Sequence, residues 1–239
     1  MHLLVRLIAS LSFALVLLCS SRESRASTPS AGLMARLAVH AANFEKMKTH
    51  ASYALDGTLE TLDRDAAVDS NKSMQGNIVA DGKKAHLDVV KYTEDGTDKT
   101  QEARDKAREQ AAKKKDKKKN IRMPFHADEQ ARYDFDQVET DALDPARVRI
   151  SFVPKIKTEN TIEGSAWVDT KTGTVVSAGF KVSQPPAFVD YVHITVEFGA
   201  STALGPAVSK VTLTGKGGFL FLRKAFRADA TLSHYAIIP

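Results

Sequence analysis

The chain has 239 residues, 43% hydrophobic and 26% charged, a length that allows one large or two small domains and a mix that fits a globular protein. Its single cysteine, Cys19, excludes an internal disulfide. The net charge of +5 is unevenly spread: residues 1–26 carry +2 and residues 99–122 carry +7, so the remainder carries −4.

The first 26 residues read as a secretory signal peptide. Arg6 forms a short basic region, an apolar run extends from Leu7 to Cys19, and Ser24-Arg25-Ala26 offers small residues at −3 and −1. The run is short for a membrane-spanning helix, which needs roughly 20 apolar residues. Leu18 directly before Cys19 disfavours a lipid-attachment site. A mature chain starting at Ser27 lacks cysteine and relies on its core alone.

Ser30 then suits the N-cap of a helix running to about Lys48. Leu33, Leu37, His40, Phe44 and Met47 form its apolar stripe, and His40 reads as a core-edge histidine. From residue 50 the period becomes two. Three strands are expected around Tyr53–Leu59, Met74–Ala80 and Ala85–Val89.

The segment 97–122 breaks the pattern. It is rich in helix formers, has no Gly or Pro, and carries favourable Glu102–Lys106 and Glu109–Lys113 spacings. With no apolar stripe it reads as a solvated helix or a disordered loop. Its basic patch, Lys113, Lys114, Lys115, Lys117, Lys118 and Lys119, suits an anionic lipid surface or an acidic partner. Aromatic residues for base stacking are missing, so nucleic acid is not expected.

Strand alternation resumes in Val148–Phe152, Ile162–Val168, Val176–Val182 and Val192–Phe198, with further runs near 207–214 and 219–236. Gly215-Lys216-Gly217-Gly218 reads as the turn between those last two. In AWVDTKTGTVVSAGF, Asp169–Gly173 is the tight connection of a hairpin expected at the centre of the sheet. Short links predict an antiparallel meander with one apolar face. The expected fold class is α+β: a long, curved antiparallel sheet with helices on its concave side.

Catalytic motifs are lacking. The histidines are dispersed, there is no zinc-binding His-Glu-x-x-His, and no Gly-x-Ser-x-Gly appears. His126-Ala127-Asp128-Glu129 is the one tight His/carboxylate cluster, and reads as a polar loop. No enzyme, metal or cofactor is expected.

Several features resemble the bacterial outer-membrane lipoprotein-sorting family, which includes the periplasmic lipoprotein carrier and its outer-membrane receptor. They are a strand ending Phe152-Val153-Pro154, the Trp167-Val168-Asp169 strand with its turn and return, Ser183-Gln184-Pro185-Pro186, and a strand ending Val196-Glu197-Phe198. The resemblance implies an incomplete β-barrel covered by helices, with an apolar interior for acyl chains. It also implies a strand arginine that holds the lid, for which Arg147 and Arg149 are the candidates; the lysine-rich insert departs from the carrier.

The leading expectation is a monomeric, non-enzymatic periplasmic protein that binds lipoprotein acyl chains or another lipid. Residues 27–239 form its one domain. Its cavity residues are Leu37 and Phe44 on the helix, with Leu55, Ile78, Leu87, Ile150, Ala166, Val176, Phe180, Ile194 and Phe198 on the strands. The alternative is a periplasmic sensor or interaction module that uses the basic insert to meet a membrane or a partner. A secreted enzyme with a site assembled from scattered residues is the weaker third.

Overall fold

The computed structural model describes residues 27–63, 65–112, 121–219 and 222–238. The signal segment and the six lysines of the basic patch lie outside them.

Helix α1 spans Ala31–His50, and the Ser30 hydroxyl caps it by accepting from the Leu33 N–H at 3.3 Å. The chain passes from His50 straight into β1 (Ala51–Leu62), then β2 (Val68–Ala80), β3 (Ala85–Glu94) and the short β4 (Thr97–Asp98). Helix α2 follows at Thr100–Ala112, and the single-turn α3 at Ala127–Gln130. A second run of strands comprises β5 (Tyr133–Thr140), β6 (Arg147–Pro154), β7 (Ile162–Asp169), β8 (Thr174–Val182) and β9 (Val189–Glu197). A small hairpin, β10 (Ala200–Thr202) and β11 (Gly205–Ala207), precedes β12 (Lys210–Phe219) and β13 (Leu222–Ile237).

Eleven of these strands form one antiparallel sheet in the order β4-β3-β2-β1-β13-β12-β9-β8-β7-β6-β5. It does not close into a barrel: β4 and β5 lie at opposite ends. Two meanders, β1–β4 and β5–β9, are joined by the last hairpin, with Leu55 opposite Leu232 and Leu213 opposite Ile194. The β7–β8 hairpin therefore lies off centre, and the middle belongs to β13 and β12.

Directly paired residues of antiparallel strands share a face. The register therefore draws one row across nine strands: Tyr92, Met74, Gly57, Ala230, Val211, Val196, Ala178, Ala166 and Ile150. Every member is apolar. The adjoining row runs from Phe152 through Phe180, Ile194, Leu213 and Leu59, and ends at Lys72 and Glu94.

The cover over this face is partial. Leu33, Leu37 and Ala41 of α1 join Ile150, Phe152, Ala166, Val168 and Val175 in the main core, together with Phe125. A smaller core gathers Met47, Ala51 and Ala207, with Tyr53 and Tyr235 stacked at 4.9 Å. Neither cluster includes a residue of β2 or β3.

Two local readings change. Gly215–Gly218 is strand, not turn: these residues pair with β13 and, from Gly215 to Gly217, with β9. A Cβ on Gly215 would stand 2.2 Å from the Phe226 Cζ, so glycine is needed because the opposite ring fills the space. At β7–β8, Val168 faces Val175 while Trp167 faces Ser177, which makes Val176 the extra residue of a bulge. Val175, at 1% exposure, takes the buried place expected for Val176.

Candidate functional site

The Asp169–Gly173 turn seats α1. The Asp169 carboxylate accepts the Lys171 and Thr172 N–H groups, each at 2.8 Å, and these bonds hold its carboxyl below the usual range. Gly173 has φ +70°, and a Cβ there would lie 2.1 Å from the Arg36 Cβ. Arg36 donates to the Thr170 carbonyl at 2.8 Å. The helix thus rests on a turn that only glycine can finish.

Under α1 the face is packed. Leu37 and Ile150 are fully buried, and Ala166 is 1% exposed. A cavity of about 120 Å³ lies there, bounded by Phe44, Met123, Phe125, Phe152, Phe180 and Phe198. The Phe44 and Phe198 rings meet edge to face at 5.7 Å. This volume is well below the roughly 300–1,000 Å³ of ordinary small-molecule sites.

The other half differs. Leu55, Ile78, Leu87 and Ile194 are half-buried and belong to neither core. Leu59, on the same face, is 38% exposed. Beside them, α2 stands along the β3 edge and encloses a groove of about 630 Å³. Met74, Leu87, Val89 and Tyr92 form its floor, and Ala103, Ala107 and Ala111 its helical wall.

Arg104 holds α2 in place. It donates to the Val89 carbonyl at 2.8 Å and the Val90 carbonyl at 3.0 Å. Val90 is the extra residue of a bulge between β2 and β3, which leaves edge carbonyls for the guanidinium. The helix thereby also blocks an edge open to further strand pairing.

Charged groups ring the groove. Lys72 and Lys99 reach Glu94 at 2.8 and 3.2 Å. These bonds hold the Glu94 carboxyl below its ordinary range and both ammonium groups above theirs. Lys84, Lys106 and Glu102 also line it.

The predicted residues therefore divide. Leu37, Ile150 and Ala166 are core; Phe44, Phe180 and Phe198 border the small cavity; Leu87 lines the groove; Leu55, Ile78 and Ile194 lie on the open face between them. Val176 is displaced by its bulge. Both arginine candidates make their ion pairs away from α1. Arg147 pairs with Asp144 at 3.3 Å and Arg149 with Glu139 at 2.7 Å, both on the face opposite Val148 and Ile150. The helix supplies the contact instead, through Arg36.

His40 is 4% exposed, with its ring 5.4 Å from Phe198 and its Nε2 without a hydrogen-bond partner. Burial lowers its pKa to about 4. In the His126 cluster, the His126 Nδ1 accepts the Asp128 N–H at 3.3 Å and caps α3.

The groove is hard to see in the sequence because α2 lacks a stripe of large apolar residues. Ala103, Ala107 and Ala111 recur every four residues, which was the available signal. The apolar Met123-Pro124-Phe125 after the lysine run is the sequence signal for the loop that brings Phe125 into the main core.

No protein-family model matches the chain, and no curated protein matches it. Among solved structures, a DUF1329 family protein from Desulfovibrio piger aligns at 10% identity over 88% of this chain and 94% of its own, with a TM-score of 0.40. A LolA superfamily protein from Nitrosomonas europaea aligns at 8% identity over 84% and 94%, with a TM-score of 0.31. A chain of the Pseudomonas aeruginosa MucA/MucB complex aligns at 11% identity over 87% and 100%, with a TM-score of 0.27. Likeness at this level establishes neither a shared fold nor a function.

Proposed function

We propose that this is a non-enzymatic periplasmic binding protein that takes an acyl chain along the uncovered half of its apolar sheet face, in lipoprotein or lipid transport to the outer membrane. The observation that carries this reading is the nine-strand apolar row, covered by α1 at one end and open towards the β2–β3 groove at the other. The signal-like N-terminus and the sequence resemblance to lipoprotein-sorting proteins agree with it. Among the described residues, no helix is long and apolar enough to cross a membrane.

In this reading the apolar face is the concave side of an incomplete barrel. The α1 side is the fixed cover, and α2, held to an edge by one arginine and small side chains, is the movable one. Binding is driven by burial of alkyl surface, about 0.8 kcal/mol per CH₂.

Native mass spectrometry of the purified protein should find retained lipid, and a fluorescent acyl probe should bind after delipidation. Leu59→Asp, which puts a charge on the exposed part of the face, should weaken the probe about tenfold and leave the fold intact. Absence of both retained lipid and probe binding would refute the proposal.

The rival reading is an interaction module. It is favoured by the direct passage from α2 into the lysine run. Deleting only residues 113–119 separates the two, since α2 walls the groove and must stay. A carrier keeps acyl binding, whereas an interaction module loses its partner or membrane.

A further inference from the structure

We infer that the β2–β3 groove selects amphiphiles with an anionic head group, and that its lysines form the head-group subsite. The inference rests on the acyl-binding reading and adds the orientation and charge of the ligand.

Three observations carry it. First, the apolar rows do not end in solvent-facing apolar residues on the β3 side. One ends at Tyr92, and the next ends at Lys72 and Glu94, still on the same face of the sheet. A chain lying along the rows therefore meets charge at this end, and its polar head belongs there.

Second, the groove is unbalanced in charge. Lys72, Lys84, Lys99 and Lys106 line it against Glu94 and Glu102, an excess of +2. Glu94 is shared by two lysines, so that cluster alone keeps one positive charge. Lys99 and Lys106 belong to the basic segment 99–122, while Lys72 and Lys84 come from the part of the chain that carries −4 as a whole. An acyl chain with a carboxylate or phosphate head fits both the floor and the rim; a neutral lipid or a cationic amphiphile fits only the floor.

Third, the groove is large enough for a head and the first part of a chain, at about 630 Å³, while the cavity under α1 is not. The ligand is accordingly placed head at α2 and chain towards β1 and β13.

The test compares chain-matched probes on the full secreted protein: dodecanoate, dodecyl phosphate and dodecanol, each displacing a fluorescent acyl probe. Both anions should bind roughly fivefold tighter than the alcohol, the size expected of two exposed lysines. In the Lys84→Gln/Lys106→Gln variant that preference should shrink towards one. Dodecanol affinity should stay unchanged, which also reports that the groove is folded. High salt should shrink the preference in the native protein as well.

Equal binding of the three probes overturns the head-group subsite and leaves acyl binding standing. A preference untouched by the double substitution also overturns it. Failure of all three to bind removes the acyl-binding reading, and this inference with it. Inorganic phosphate binding as tightly as dodecyl phosphate would overturn it too, because the lysines would then form an anion site independent of any chain.

Discussion

Gly173 ties a local conformation to a long-range contact. Its φ of +70° disfavours any side chain, and the Arg36 Cβ occupies the place where a Cβ would stand. Gly173→Ala should cost roughly 2 kcal/mol or more, read as a lower urea midpoint, because backbone strain and displacement of α1 add. His40 sets a pH response. Its folded pKa of about 4 lies below the ordinary 6.5, so protons bind the unfolded chain first. Stability is therefore full above pH 6.5 and falls as pH drops from 6.5 towards 4, by up to about 3 kcal/mol. His40→Phe should flatten that slope in thermal melts between pH 7 and 4.5; an unchanged slope would assign the acid sensitivity elsewhere.

At the scale of elements, α1 and α2 cover the sheet by different means. The first buries Leu33, Leu37 and Ala41 in a shared core, and Leu37→Ala should cost about 2–5 kcal/mol in denaturant unfolding. The second offers three alanines and one arginine. Arg104→Ala should leave global stability within about 1 kcal/mol while speeding amide exchange across Val89–Tyr92, because only the edge is released. Unchanged exchange there would show that the alanine wall holds α2 by itself. The helix at α1 was legible because large side chains spaced three and four apart, from Leu33 to Met47, have one physical reading. At α2 the same spacing was filled by alanine, which serves equally as a helix former on a solvated surface.

Across the whole molecule, the first strand pairs with the last. β13 joins the two meanders, and the apolar row crosses from one to the other through Gly57, Ala230 and Val211. Ligand binding on this row should therefore stabilise the entire sheet. Dodecanoate at a hundred times its Kd should add about 2.7 kcal/mol, seen as a raised Tm that Leu59→Asp diminishes. A Tm unmoved by saturating ligand would place binding outside the folded sheet.

The sequence by itself determined the capped first helix, the alternating strands, the glycine turn after Asp169 and the preference for apolar residues on one face. These follow from periods of 3.6 and 2 and from backbone sterics, which act within a few residues. It placed Val176 inward because alternation assumes an unbroken register, and it placed a turn at Gly215–Gly218 because glycine serves turns and crowded strands alike. Only the tertiary structure decided these, since a bulge is defined by the partner strand and Gly215 by the ring of Phe226 opposite. The division of the apolar face was likewise decided there. Leu55 and Ile150 have the same local pattern, and whether one is core and the other open depends on where α1 lies, which no local spacing encodes.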